Sequence, residues 1–192
     1  MLALFVRFGA RAAVFSALIL VGCASSAPQL ISKSPTVPEG VDLSGRWVVR
    51  ADSRAGRSQM DGLQEKLVVT SRSQRSRRQK GSSDGSAQVF IEYGESLKIS
   101  QTDFGIFISY DRSVVEEFTF GENRLVTVGP IEARRVSGWE GKSFVIETLD
   151  DSGTTLFESW HLDSDDAVLI RDIRLSKGDE ESFSLRQLFD RT

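Results

Sequence analysis

From Glu95 to the end of the chain, short runs of β-branched and aromatic residues alternate with short turn signals. This rhythm constrains the fold more than any other feature. The runs predict strands over 96–101, 104–110, 114–120, 124–128, 131–139, 143–149, 154–162, 167–175 and 182–189. Turn formers separate them, among them Thr102-Asp103, Gly121-Glu122-Asn123, Gly129-Pro130, Glu140-Gly141 and Lys177-Gly178-Asp179. A repeat of roughly 8–12 residues signals an all-β sandwich or barrel. Turns this short join neighbouring strands as antiparallel hairpins. A further strand over 43–49, around Trp47, brings the meander to about ten strands. An open sheet of that size leaves two bare edges, which closure removes. The expectation is an all-β, up-and-down antiparallel barrel, closed or nearly closed, in preference to a sandwich.

Period-two faces suggest what the barrel holds. Phe104, Ile106, Ile108 and Tyr110 share one face of a strand; Leu156, Glu158, Trp160 and Leu162 share another. Phe183, Leu185 and Phe189 do the same, with Gln187 among them. Glu116 falls with Val114, Phe118 and Phe120, and Asp172 with Val168 and Ile170. If these faces point inward, Glu116, Glu158 and Asp172 are buried carboxylates that need partners. Arg135 and Arg174 are the candidates. Glu116, Arg135, Glu158, Trp160 and Asp172 are then candidate ligand-binding residues in a polar lumen. The alternative is a structural ion-pair network, or a register different from the one read here.

The N-terminal part has another character. Arg7 and Arg11 precede an apolar run over 12–21, and no acidic residue precedes Cys23. A basic start, a short apolar core and small residues at a cut site describe an export signal. The run is half the roughly 20 residues that a membrane-spanning helix needs. Residues 1–22 are expected to be a signal peptide, 23–41 a flexible tether rich in Ser, Pro and Ala, and 42–192 the barrel domain. Within that domain, 50–61 reads as a loop and 62–70 as a short helix or strand. Residues 71–87 are almost devoid of apolar side chains and read as a long mobile loop.

Past residue 22 the chain carries 22 Lys and Arg against 27 Asp and Glu. Five of the cations, Arg72, Arg75, Arg77, Arg78 and Lys80, crowd into that loop, so an acidic domain bears one basic segment. Arg clusters recognise phosphate, which makes these five candidates for binding a polyanion such as an anionic lipid. The alternative is a charge run that is merely solvated. Nucleic acid is not expected, because aromatic residues do not interleave with the cations.

Three resemblances add to this. Leu20-Val21-Gly22-Cys23 resembles the lipobox of bacterial lipoprotein precursors, and Cys23 is the single cysteine. The resemblance implies cleavage before Cys23, diacylglycerol on its sulfur and attachment to a membrane through acyl chains. In a diderm host, Ala24 and Ser25 resemble sorting to the periplasmic face of the outer membrane. Gly45-Arg46-Trp47 resembles the Gly-x-Trp signature of lipocalins and related ligand-binding barrels. There the Trp plugs the closed end and a late-strand Arg packs on it, a role that would fall to Arg186 through cation–π contact. Lastly, the pattern running from Trp139-Glu140-Gly141-Lys142 through Glu158-x-Trp160-x-Leu162 to Leu169 resembles that of uncharacterised exported lipocalin-like bacterial proteins. These resemblances imply a fold and an address more than an activity.

A catalytic set is not evident. His161 is the single histidine, and the chain has no Ser-x-x-Lys and no phosphate-cradling glycine loop. Gly81-Ser82-Ser83-Asp84-Gly85 spells Gly-x-Ser-x-Gly, but it lies in the expected polar loop and not at the strand-to-helix elbow that the motif requires. Neither a catalytic set nor a metal or cofactor site is expected. The function expected is binding of a small amphiphilic or apolar ligand inside the barrel. The alternative is a structural or assembly role, docking another envelope component. An envelope enzyme ranks last.

Overall fold

The computed structural model describes residues 29–54, 56–63 and 87–192. The expected signal peptide, Cys23, the residues 64–70 and the basic stretch from Arg72 to Lys80 lie outside the described residues.

Among the described residues, ten strands form one sheet: β1 (Gly45–Val49), β2 (Ser96–Gln101), β3 (Gly105–Tyr110), β4 (Val114–Thr119), β5 (Glu122–Val128), β6 (Ile131–Glu140), β7 (Ser143–Asp150), β8 (Thr154–Leu162), β9 (Val168–Lys177) and β10 (Glu180–Arg191). Their spatial order is β4-β3-β2-β1-β10-β9-β8-β7-β6-β5. Neighbours in this order pair antiparallel, and β1 is stitched to β10 by Trp47 opposite Arg191 and Val49 opposite Phe189. The chain therefore forms the expected nearly closed up-and-down barrel. No observed strand end departs from its expected position by more than two residues.

Among the described strands the barrel has one seam, between β4 and β5, where isolated hydrogen bonds from the turn, β5 and β6 stand in for a ladder. Arg124 Nη2 donates to Glu117 O at 3.2 Å. Ser137 Oγ donates to Thr119 O at 2.9 Å, and Gly121 N–H donates to Ser137 O at 2.7 Å.

Three expectations need correction. Residues 50–61 are not simply a loop: a 3₁₀ turn covers Ala51–Ser53 and 56–63 are helical, with Met60 buried as their apolar anchor. Phe104 is not on the inward face of β3 but stands exposed in the preceding turn. Thr102 ends β2 there, its Oγ1 accepting from the N–H groups of Phe104 and Gly105. The third correction concerns the tether, which is packed rather than flexible over its later half. Ser34 and Trp139 exchange backbone hydrogen bonds at 3.2 and 2.9 Å. Lys33 is buried, its ammonium held by Glu140 at 2.5 Å and Glu147 at 3.0 Å. Val37 and Val41 pack on the core, and the Gln101 side chain clamps Val41 O and Leu43 N–H. Proline-rich composition predicts an extended chain, but the observed chain turns over 38–41, where Val41 N–H donates to Pro38 O. The barrel end gives it partners, which composition does not show.

The core has two apolar layers. One surrounds Trp47, Trp139, Phe144, Trp160 and Phe189 at the end that the N-terminal segment covers. The other lies at the opposite mouth, where Met60, Phe90 and Ile91 meet Leu156, Ile173, Leu175 and Leu185. Asp150 pins this roof, its Oδ2 accepting from Ala87 N–H at 2.9 Å where the 3₁₀ turn Ala87–Phe90 begins.

Candidate ligand site in the barrel interior

Between the two apolar layers runs a polar belt. On β8, Glu158 is the inward residue between Leu156 and Trp160; on β9, Arg171 lies between Leu169 and Ile173; on β10, Gln187 lies between Leu185 and Phe189. Glu158, Arg171 and Gln187 are all buried. Arg135 on β6, Thr148 on β7 and Glu116 on β4 continue the belt round the wall, toward and across the seam.

Arg171 is its centre. Its Nε donates to Glu158 Oε2 at 3.0 Å, and Nη2 makes a second, shorter bond to the same oxygen. Its Nη1 donates to Glu92 O at 2.8 Å and to Gln187 Oε1 at 3.2 Å. The guanidinium carbon lies 4.5 Å from the Trp160 ring centre and 5.5 Å from that of Tyr110. A buried guanidinium is tolerable when it is paired and fully hydrogen-bonded. Arg135 is a second, looser centre. Its Nε donates to Thr148 Oγ1 at 3.0 Å, and Nη1 stands 3.6 Å from Glu116 Oε1. The rings of Phe90 and Phe118 flank it.

Burial pushes the Glu116 carboxyl up to about 7, and the nearby Glu158 adds to the shift against Arg135 and Arg171. Burial also raises Glu92, and raises the Tyr110 phenol well above its ordinary value. The Tyr110 hydroxyl faces the Glu116 carboxyl, which adds to the upward shift of the phenol. Among the described residues, two buried donors beside Arg171, Trp160 Nε1 and Gln187 Nε2, have no hydrogen-bond partner. Protein interiors seldom leave such groups unpaired, at a cost of about 1–3 kcal/mol each.

Four of the five expected lumen residues, Glu116, Arg135, Glu158 and Trp160, do meet in the interior. Asp172 does not. It sits on the outer wall, bound by Arg186 through two hydrogen bonds of 2.6 and 3.0 Å. Arg174 is likewise outside, over the Phe157 ring at 4.4 Å. The inward face of β9 lies one residue out of step with the expected one, which replaces Asp172 in the interior with Arg171. Its own face carries Leu169, Ile173 and Leu175, a stronger apolar set than Val168 and Ile170, and that signal could have found it.

Arg186 is therefore not the residue on Trp47. Arg191 takes that place, its guanidinium 4.2 Å from the indole centre. Strand parity is the reason: Arg191 is the direct cross-strand partner of Trp47, and Arg186, an odd number of residues away, must face outward. Gly45 belongs to the same cap, because a Cβ there would lie 2.8 Å from Arg191 Nη1. His161 stands on the face of β8 opposite Trp160, at intermediate exposure. Among the described residues, no group of three or more His, Cys, Asp or Glu could hold a metal ion.

Two grooves, of about 450 and 380 Å³, mark the outer wall of β7–β10 rather than the interior. They share Phe157, Arg174 and Glu181.

No family model matches the chain, and no curated protein matches it. Solved structures do. The chain is similar to the REP1-NXSQ fatty acid transporter, at 11% identity over 79% of this chain and 96% of that one, with a TM-score of 0.45. It is similar to a luciferase domain from the dinoflagellate Lingulodinium polyedrum, at 11% identity over 84% of this chain and 45% of that one (TM-score 0.49). It is also similar to a secretary abundant heat soluble protein from Ramazzottius varieornatus, at 10% identity over 80% and 97% of the two chains (TM-score 0.46).

Proposed function

We propose that this protein is a lipid-anchored extracytoplasmic barrel that binds a small amphiphilic ligand in its interior, without catalysis. The observation that carries the binding reading is that Trp160 Nε1 and Gln187 Nε2, on side chains packed against Arg171, are buried and have no partner among the described residues. Donors left unmatched at the centre of a fold suit an acceptor brought from outside. The apolar layer at the roofed mouth would take the rest of the ligand. Short helical pieces laid over that mouth, rather than a paired strand, close it, and such pieces open locally at lower free energy than a sheet. The anchoring half of the proposal rests on the lipobox at Leu20–Cys23.

The test is native mass spectrometry of the mature chain recovered from the host envelope, starting ahead of Lys33 because that residue is part of the fold. A discrete added mass, lost on organic extraction, is the expected result. A bare polypeptide that takes up no offered lipid would sink the binding reading. Radiolabelled palmitate should enter the wild-type chain and not Cys23→Ser; equal labelling of both would sink the anchor.

A second reading, docking onto another envelope component, draws on a different observation. Phe107, Val115 and Leu125 are exposed on the outer surfaces of β3, β4 and β5, beside the unladdered seam. Cross-linking in cells from a photoreactive side chain at 115 should then trap a partner.

A further inference from the structure

We propose that the interior selects a ligand whose polar end is an uncharged hydrogen-bond acceptor, such as an ester, amide, ketone or ether, and discriminates against a free carboxylate. This rests on the interior-binding reading above and adds the chemical class of the head group. The charges of the belt are already matched pairwise. Arg171 gives Nε and Nη2 to Glu158 and Nη1 to Glu92 O and Gln187 Oε1, with aromatic rings over its guanidinium. Arg135 is turned to Thr148 and Glu116. All three nitrogens of Arg171 are engaged, and Arg135 is already opposed by the Glu116 carboxyl 3.6 Å away. The donors that remain beside Arg171, the Trp160 indole N–H and the Gln187 amide N–H, are uncharged. They can satisfy oxygen lone pairs, but they cannot neutralise a full negative charge.

The acidic side chains push the same way. A carboxylate placed among these donors would join Glu158, Glu116 and the partly buried Glu92 in a medium of low dielectric, where like charges repel strongly. An uncharged carbonyl avoids that repulsion and still pairs the donors, recovering what their isolation costs. Glu116 also supplies a signature. Its carboxyl takes up a proton near neutral pH, which would remove one of the like charges facing a carboxylate ligand. Binding of a carboxylate should therefore strengthen as pH falls through about 7, and binding of an ester should change much less.

A matched series with one chain length tests this: tetradecane, methyl tetradecanoate, tetradecanamide and tetradecanoate. The protein is the mature chain carrying Cys23→Ser, and affinities are measured by titration calorimetry at pH 8 and pH 6. The expected order at pH 8 is ester and amide at least tenfold tighter than tetradecanoate, the gap narrowing at pH 6. Gln187→Leu should weaken the ester about 3- to 10-fold and leave tetradecane unchanged. Tetradecanoate binding as tightly as the ester at pH 8 would overturn the head-group selection while leaving a binding barrel. Binding by no member of the series, tetradecane included, would overturn the binding reading and this inference with it.

Discussion

Tyr110, Glu116 and Arg191 each hold a group whose energetics can be measured without knowing any ligand. The Tyr110 hydroxyl is buried beside the Glu116 carboxyl, which adds to the upward shift of the phenol. Tyr110→Phe should cost the ligand-free protein about 1 kcal/mol by urea unfolding. Unchanged stability would show that the hydroxyl makes no such bond in solution. Glu116 has a folded pKa raised above its ordinary value of 4.5, to about 7. The folded state therefore holds a proton that the unfolded chain has released. Its contribution to stability is complete below about 4.5 and is lost as pH rises through 7. Glu116→Gln should flatten the stability profile between those pH values, and gain up to about 3 kcal/mol relative to wild type at pH 8. Arg191→Ala should cost about 1 kcal/mol by uncovering Trp47. Arg186→Ala, which breaks an exposed pair with Asp172, should change stability by less than that.

At the scale of elements, the N-terminal segment behaves as part of the barrel. The Ser34–Trp139 bridge, the buried Lys33 and the half-buried Val37 and Val41 close the end that Trp47 plugs. Gly138 and Gly121 make room for it: a Cβ on Gly138 would lie 2.6 Å from Ser34 O, and one on Gly121 2.9 Å from Pro35. Deleting residues 24–41 should lower stability by on the order of 2 kcal/mol in a thermal melt, the range of a lost packing and ion-pair feature. A melt unchanged by the deletion would mean that the segment is only a tether. At the other mouth, Asp150 holds Ala87 N–H, Ser152 and Thr154 N–H together. Asp150→Ala should therefore speed amide hydrogen exchange over 87–91 well before it does so in β8.

For the whole molecule, the packed N-terminal segment limits how far the barrel can stand from its proposed anchor. Six residue steps separate Cys23 from Gln29, the first described residue, and fully extended they reach about 20 Å. Gln29 and Leu30 line a groove with Glu147, Leu149 and Phe157, so the wall of β7 and β8 is the part held near the membrane under the anchoring proposal. A flexible tether from residue 23 to 41 would have let the barrel roam several times farther. Fluorescence energy transfer from a dye at position 155 to a labelled lipid should report a short distance. Deleting 33–41 or inserting a Gly/Ser linker after Pro28 should lengthen the mean distance.

Strand number, strand limits and antiparallel order were legible in the sequence because they depend on local chemistry. Alternating apolar residues and short Gly- or Asp-rich turns specify a hairpin without reference to the rest of the chain. The inward face was legible too where one face was plainly apolar, as on β8 with Leu156 and Trp160 beside Glu158. On β9 both faces mix apolar and charged residues, so a one-residue choice exchanges Asp172 for Arg171, and only the pairing with β8 and β10 decides it. The same holds for the cap on Trp47: Arg186 and Arg191 are alike in sequence, and register selects Arg191. Closure by β1 on β10, the seam at β4 and β5, and the packing of residues 33–41 join segments as far apart as Arg46 and Thr192. Local sequence specified the strands; tertiary pairing decided which charges they bury together, because burial depends on neighbours that only the closed barrel brings into reach.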